Sequence, residues 1–234
     1  MQDSSKYQQF AIDVLGVKFN DISLLITAFT HRSYVNEHKK TVSEHNERLE
    51  FLGDAVLELI STEYLYNRFK DPEGTLTNWR SSLVRTESIG AAATRLGFEP
   101  LLRLSRGEKR GTDRARAQIL ANCYEAVLGA IYLDSGYEAT KNFIQNSLLN
   151  TFDQILKEGS WMDPKSYLQE LAQSNEGLTP VYKVLDEVGP DHDKAFTIGV
   201  FINGKLKGRG SGPSKQTAQV AAAKAALEQY KSVK

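Results

Sequence analysis

Three carboxylates on one short segment are the residues of this chain whose types and spacing best suit chemistry. Glu47, Glu50 and Asp54 stand at positions i, i+3 and i+7 of a segment with helical periodicity. Side chains with this spacing project from one side of a helix, within a turn of one another. Like charges so placed repel, and the pattern therefore favours a cation between them, such as magnesium, which prefers oxygen ligands. A solvated acidic helix face has the same spacing and is the alternative interpretation.

A second pair of oxygen-bearing side chains, Asn122 and Glu125, stands at i, i+3 inside an otherwise apolar helical segment. Glutamate is rarely buried without a partner. If the two helices pack together, four oxygen-bearing side chains converge: Glu50, Asp54, Asn122 and Glu125. Facing helices of a bundle build metal sites in this way. This convergence is a hypothesis, because spacing alone does not show which helices pack together.

The elements that must position these acids are helical. Apolar residues recur at three- and four-residue steps from about Glu47 to Phe69, and a proline and a glycine within residues 71–74 end this helix. Further helices are predicted at about 76–85, 87–96, 113–134 and 137–156. No clear strand pattern occurs before residue 160. We expect an all-α domain over residues 5–158.

The pattern changes after residue 160, and the remainder predicts a second domain over residues 162–232. A helix from Pro164 to about Gln173 is followed by strands at about 181–185, 195–202 and 205–210, and by an alanine-rich helix from Lys215 to about Tyr230. Asn203-Gly204, between the second and third strands, is a strong signal for a two-residue hairpin turn. The chain is therefore expected to be multidomain, with an α+β domain of order α-β-β-β-α at its C-terminal end.

The charge of the chain is zero overall but unevenly distributed. Residues 194–234 carry eight lysines and arginines against one acid, whereas residues 163–193 carry two against seven. Clustered positive charge is typical of proteins that bind phosphate backbones, although a solvated lysine-rich tail has the same composition.

Membrane and secreted classes are excluded by composition. No stretch approaches the roughly 18 apolar residues of a membrane span, and the polar N-terminus does not resemble a signal peptide. The single cysteine, Cys123, cannot form an intramolecular disulfide. These features predict a cytoplasmic protein that does not enter a membrane.

Residues 46–57, which include the three acids, resemble the nine-residue signature of ribonuclease III almost letter for letter. The resemblance covers nearly the whole chain and includes residues 30–34, 73–74, 83–84 and 125–134. Residues 180–182, 189–192, 208–210 and 214–215 resemble a double-stranded-RNA-binding domain. The resemblance to bacterial ribonuclease III implies an all-α endonuclease domain followed by that α-β-β-β-α domain.

This resemblance implies a metal-dependent endonuclease that hydrolyses phosphodiester bonds of double-stranded RNA and processes ribosomal, messenger and other RNA. Its products would carry 5′-phosphate and 3′-hydroxyl ends with two-nucleotide 3′ overhangs, because the two active sites of a homodimer cut opposite strands. The implied cofactor is magnesium, or manganese in its place, with no organic cofactor. Matching positions imply metal ligands at Glu50, Asp54, Asn122 and Glu125, catalytic roles for Asp54 and Glu125, an accessory acid at Glu47 and a dimer contact at Phe51. A position in the apolar core is the alternative for Phe51.

The resemblance also assigns RNA contacts to the second domain. Gln169, Glu170 and His192 would approach minor grooves, and Lys215 would meet phosphates at the start of the last helix. Family members often have a second lysine where this chain has Gln216.

Asn122 departs from the family, most of whose members have aspartate there. An amide oxygen can ligate magnesium but brings no charge. Asn122 is thus a tolerated natural variant, an engineered change that slows cleavage, or part of a protein that binds double-stranded RNA without cutting it. The retained acids Glu50, Asp54 and Glu125 favour the first. A helical carboxylate-metal protein that acts on small molecules would leave the basic C-terminal segment unexplained.

Overall fold

The computed structural model describes residues 2–153, 156, 164–190 and 194–231. It divides the chain into two compact units, Met1–Trp161 and Met162–Lys234, each with its own apolar core. The division falls close to the change of pattern after residue 160. The finer limits predicted for the two domains, 5–158 and 162–232, stay predictions.

The first unit is built from helices joined by short turns. Its α-helices are α1 Gln2–Phe10, α2 Ile22–Ala28, α3 Arg32–Glu37, α4 Glu47–Arg68, α5 Glu73–Val84, α6 Thr86–Arg95 and α7 Asp113–Ser147. A π-helical turn spans Ala11–Leu15, and 3-10 turns span Glu99–Leu101, Glu108–Arg110 and Leu149–Thr151. In the described part of this unit, the β pairing consists of one isolated bridge between Thr30 and Arg103. The predicted all-α fold is confirmed.

Helix α4 matches the predicted long amphipathic helix, whereas α5 begins three residues before the predicted position 76. The residue before α5 is Pro72, with a φ of −59°. Proline lacks an N–H group and has the backbone φ that a helix start requires. The proline that ends one helix therefore also precedes the first turn of the next.

The helices predicted at 113–134 and 137–156 both begin within α7, which has a kink between them at Gly136. Gly136, at the junction, has φ 79° and ψ −173°, a backbone conformation open to glycine and strained for other residues. The helix ends at Ser147 and a 3-10 turn follows, after which residues 152, 153 and 156 are again helical, as predicted. The hydroxyl of Ser147 bonds to the Phe143 carbonyl oxygen at 2.6 Å and to the hydroxyl of Tyr124 at 2.7 Å. These bonds join the part of α7 after Gly136 to the part before it.

Helices α4 and α7 pack together at the centre of the first unit. Buried side chains from both helices meet there: Leu57 and Ile60 from α4, and Val127, Leu128 and Ile131 from α7. None of the helices in the described ranges combines the length and the apolar character that a membrane crossing requires.

The second unit has the predicted order of elements: α8 Pro164–Glu176, β1 Val181–Val188, β2 Ala195–Ile202, β3 Lys205–Gly212 and α9 Lys215–Lys231. The three strands form an antiparallel sheet in the order β1-β2-β3. At the hairpin between β2 and β3, Asn203 has φ 51° and Gly204 has φ 71°, as a type I′ turn requires. The first and third strands are longer than predicted, and a bulge interrupts β1 between Val184 and Asp186.

The alanine-rich helix α9 lies very close to strand β3. A side chain at Gly208 or Gly210 would overlap the backbone of α9 near Ala222. Buried alanines of α9 complete a small core with Leu168 of α8 and Val200 of β2. The glycine and alanine content of this segment therefore reflects close packing between a helix and a sheet.

Candidate active site

The close crossing of α4 and α7 brings the two groups of predicted ligands together. A Cβ atom on Gly53 of α4 would overlap the backbone carbonyl of Glu125. A Cβ atom on Gly129 of α7 would in turn overlap the backbone carbonyl of Leu49. Glu50 and Asp54 stand on either side of Gly53, so both acids lie where the backbones of the two helices touch.

The carboxyl groups of Glu50, Asp54 and Glu125 lie close enough together for charges in this group to raise the pKa of Glu50 and of Glu125. Burial raises the pKa of Glu125 to about 8, and the negative charges of Asp54 and Glu50 contribute to that rise. Burial also raises the pKa of Glu50, as do the charges of Glu47 and Asp54, while a hydrogen bond from Asn122 opposes the rise. The structure thus brings together the four predicted ligands on two helices.

Asn122 is held by a second side chain on its own helix. The Nε2 atom of Gln118 donates a hydrogen bond of 2.7 Å to the Oδ1 atom of Asn122. Asn122 is half-buried, whereas Gln118, one turn earlier on α7, is exposed. The oxygen of the Asn122 amide therefore has a hydrogen-bond partner on its own helix, and Glu50 of α4 is a further neighbour of Asn122.

The donor chemistry of this cluster fits a divalent cation. Burial first, and two negative neighbours second, disfavour the ionised form of the Glu125 carboxyl, and a nearby positive charge would stabilise that form. Within the described ranges, no three His, Cys, Asp or Glu side chains stand in an arrangement that would hold a metal ion. Carboxylates that repel one another are expected to spread apart unless a cation draws them together. The fit therefore rests on the oxygen donors, their shared position and the high pKa of Glu125.

Glu47 lies at the edge of the cluster, where an arginine and a histidine are close to its carboxylate. Its carboxylate is 3.6 Å from the guanidinium of Arg32, at the start of α3, and 3.8 Å from Nδ1 of His45. It also raises the pKa of Glu50. The charge of Glu47 therefore acts on the predicted ligand Glu50, and residues outside the cluster contact the carboxylate of Glu47.

Phe51 is the most exposed large apolar side chain in the described part of the first unit, at 81% of its possible surface. It follows Glu50 directly on α4. A phenylalanine so exposed is not part of the unit's own core, so the alternative of a core residue is wrong.

The predicted RNA contacts lie on the surface of the second unit, except for His192, which falls outside the described residues. Gln169 and Glu170 are exposed on α8. Lys215 is exposed at the first position of α9, and its Nζ atom lies 5.5 Å from the ring centroid of Phe196. Ser214 caps this helix by accepting a 3.1 Å hydrogen bond from the backbone N–H of Thr217. Helices α8 and α9 are joined by a 2.7 Å hydrogen bond from Lys165 to Gln219.

Three residues that shape the site were not predicted from the sequence. Gly53 and Gly129 allow the helices to cross closely, and Gln118 contacts Asn122. A glycine inside a strongly helical pattern costs about 1 kcal/mol relative to alanine, so its presence signals a packing requirement. The i, i+4 spacing of Gln118 and Asn122 likewise indicates a side-chain contact along one helix face.

Comparisons with known proteins cover nearly the whole chain. Residues 21–152 match the family model described as ribonuclease-III-like, and residues 164–230 match the double-stranded RNA binding motif. The chain is 44% identical over 229 residues to Ribonuclease 3 of Streptococcus gordonii, covering 95% of this chain and 96% of that protein. It is 46% identical over 215 residues to Ribonuclease 3 of Desulforamulus reducens, covering 92% and 87%.

A solved structure is also similar to the first unit. The nuclease domain of ribonuclease III from Campylobacter jejuni is 37% identical, with a TM-score of 0.53, over 59% of this chain and 96% of that one. In that Campylobacter jejuni domain, a region involved in dimer formation shows structural flexibility.

Proposed function

This chain belongs to the ribonuclease III family, and from that membership we propose that it is an endonuclease that hydrolyses double-stranded RNA. The observation that carries the proposal is the position of Glu125, half-buried beside Glu50 and Asp54 where two helix backbones touch. Among the described residues, this is where acids on separate helices raise one another's pKa. Phosphodiester hydrolysis needs such a concentration of oxygen donors to hold divalent cations.

Glu50, Asp54, Asn122 and Glu125 would hold magnesium, or manganese in its place. The cation would supply positive charge that stabilises the negative charge developing on the scissile phosphate and on the leaving oxygen. Asp54 and Glu125 are the acids to which we assign catalysis, because their oxygens can accept hydrogen bonds from an attacking water and so orient it. Glu47 would be the accessory acid at the edge of the site, where Arg32 and His45 lie close to its carboxylate.

The second unit would bind the duplex. Domains of this kind recognise the shape of A-form RNA through two minor grooves and the phosphates between them. Gln169, Glu170 and His192 would face minor grooves. Lys215 would meet phosphate at the N-terminus of α9, where the backbone N–H groups also favour an anion. The exposed position of Lys215 and the cap at Ser214 support this assignment.

We further propose that the active protein is a homodimer in which Phe51 enters a pocket of the partner subunit. Burial of a fully exposed phenylalanine side chain contributes about 1.5–3 kcal/mol, and 81% of the surface of Phe51 is exposed. Two sites related by the dimer axis would cut opposite strands and leave two-nucleotide 3′ overhangs with 5′-phosphate and 3′-hydroxyl ends. Processing of ribosomal and messenger RNA in the cytoplasm is the cellular role that we propose.

Cleavage of a long labelled RNA duplex in magnesium, with enzyme in excess, tests this function. We expect cleavage by the unmodified chain and no product in EDTA. We also expect no product from Glu125→Gln, because the cluster then has one ionisable oxygen donor fewer. The alternative, that Asn122 leaves a protein that only binds double-stranded RNA, predicts that the unmodified chain yields no product while Asn122→Asp cuts. That pair of results would overturn the proposed activity.

A further inference from the structure

The oxygen of the Asn122 amide already has a hydrogen-bond partner, and this partner fixes the orientation of the amide. Gln118 donates its Nε2–H to the Oδ1 atom of Asn122 at 2.7 Å. Glu50 of α4 is a neighbour of Asn122. With the Oδ1 atom of Asn122 directed at Gln118, the Nδ2–H group is the part of the amide left to face the carboxylates of α4.

This orientation turns the wrong atom toward the metal ligands. An amide nitrogen carries two hydrogens and does not ligate magnesium, whereas the amide oxygen does. The oxygen of Asn122 accepts its hydrogen bond from Gln118. Ligation by Asn122 therefore requires a half-turn of its amide, after which Nδ2 would face Gln118.

We propose that Gln118 is a positioning residue that decides whether Asn122 meets the carboxylate cluster with its nitrogen or with its oxygen. The inference rests on the proposed function, because it concerns the ligands of the same site. Glutamine suits both orientations, since its own amide offers a donor and an acceptor and can make the matching half-turn. A side chain at position 118 that only accepts hydrogen bonds would hold Nδ2 of Asn122 outward and its oxygen toward Glu50, Asp54 and Glu125.

Gln118→Glu provides that acceptor, and Ala117→Glu is its matched control. Ala117 is exposed and directly precedes Gln118 on α7, so the control adds the same charge without reaching the Asn122 amide in the same way. We expect Gln118→Glu to bind magnesium roughly five- to tenfold more tightly than Ala117→Glu, the worth of about one hydrogen bond. The affinity is measured by calorimetric titration of magnesium chloride in the absence of RNA.

The same comparison in an Asn122→Asp background separates positioning from charge. Aspartate has two equivalent oxygens and no nitrogen to turn, so the difference between the two glutamate variants should disappear there. The side-chain 15N–1H resonances of Asn122 should also shift in Gln118→Glu before any metal is added, and they should stay in place in Ala117→Glu.

Equal affinities for Gln118→Glu and Ala117→Glu, or a difference that persists beside Asn122→Asp, would overturn the inference. Magnesium binding and duplex cleavage by the unmodified chain are measured alongside. If both are present while the two glutamate variants are alike, positioning by Gln118 alone is rejected. If both are absent, the proposed function is rejected as well.

Discussion

The crossing at Gly53 gives the sharpest prediction about how this chain positions its acids. At most helix positions, replacing glycine by alanine stabilises a protein, because alanine is more favourable in a helix by about 1 kcal/mol. At Gly53 the new methyl group would overlap the carbonyl group of Glu125, which belongs to the backbone and cannot rotate away. The two helices must therefore move apart.

The expected magnitude follows from these opposing effects. Overpacking a close contact costs typically about 1–3 kcal/mol, and a backbone obstacle places Gly53→Ala at the upper end of that range or beyond it. With the gain in helix propensity subtracted, we expect a net loss of about 2 kcal/mol from the free energy of unfolding. Separation of α4 from α7 also moves Glu50 and Asp54 away from Glu125, so the magnesium affinity should fall too.

Urea unfolding followed by tryptophan fluorescence measures the stability, since Trp79 is buried in the core of this unit. Gly74→Ala is the matched control, because Gly74 also lies in a helix, α5, and an added Cβ atom would meet nothing within 4 Å. The control should be neutral or slightly stabilising. A Gly53→Ala protein as stable as the unmodified chain, with unchanged magnesium affinity, would refute the reasoning.

Other predictions concern pH, assembly and RNA binding. The pKa of Glu125 is raised in the folded state, so its contribution to metal-free stability is full below the ordinary value of 4.5 and is lost as pH rises toward about 8; unfolding in EDTA should show this loss, and Glu125→Gln should remove it. Phe51→Ala should shift the protein from dimer to monomer in sedimentation velocity while its circular dichroism stays unchanged, and a persistent dimer would contradict the assigned role. Lys215→Ala should lower the slope of log affinity against log salt for duplex RNA by about one, whereas Lys224→Ala, nearly opposite on α9, should leave it unchanged; equal slopes for both variants would argue against phosphate contact by Lys215.

Much of the fold could be predicted because its signals are local. The apolar period of α4 and the Asn203-Gly204 turn each depend on a few neighbouring residues, and both were confirmed. The interruption after Ser147, where a 3-10 turn separates two helical stretches, was not predicted, and the hydroxyl of Ser147 bonds there to the distant Tyr124. The start of α5 was predicted three residues late, because Pro72, which was expected only to end the preceding helix, also precedes the first turn of α5.

The candidate site was only partly predictable, for a related reason. Spacing placed Glu50 and Asp54 on one helix face and Glu125 on another, but the distance between two helices depends on what lies between their backbones. Here that is the absence of side chains at Gly53 and Gly129, which a pattern of apolar residues does not reveal. The orientation of the Asn122 amide depends in turn on Gln118, a surface residue with no chemical signature of its own.

The kink at Gly136 has a consequence for how short a working fragment of the first unit can be. Tyr124 is fully buried next to Glu125, and its hydroxyl is satisfied by Ser147, beyond the kink. A fragment that stopped before Ser147 would keep every proposed metal ligand, yet it would leave this buried hydroxyl without its partner, at a cost of about 1–3 kcal/mol. It would also remove Leu148, Leu149 and Phe152 from the core, so the ligands depend on a part of the unit that lies more than twenty residues beyond them in the sequence.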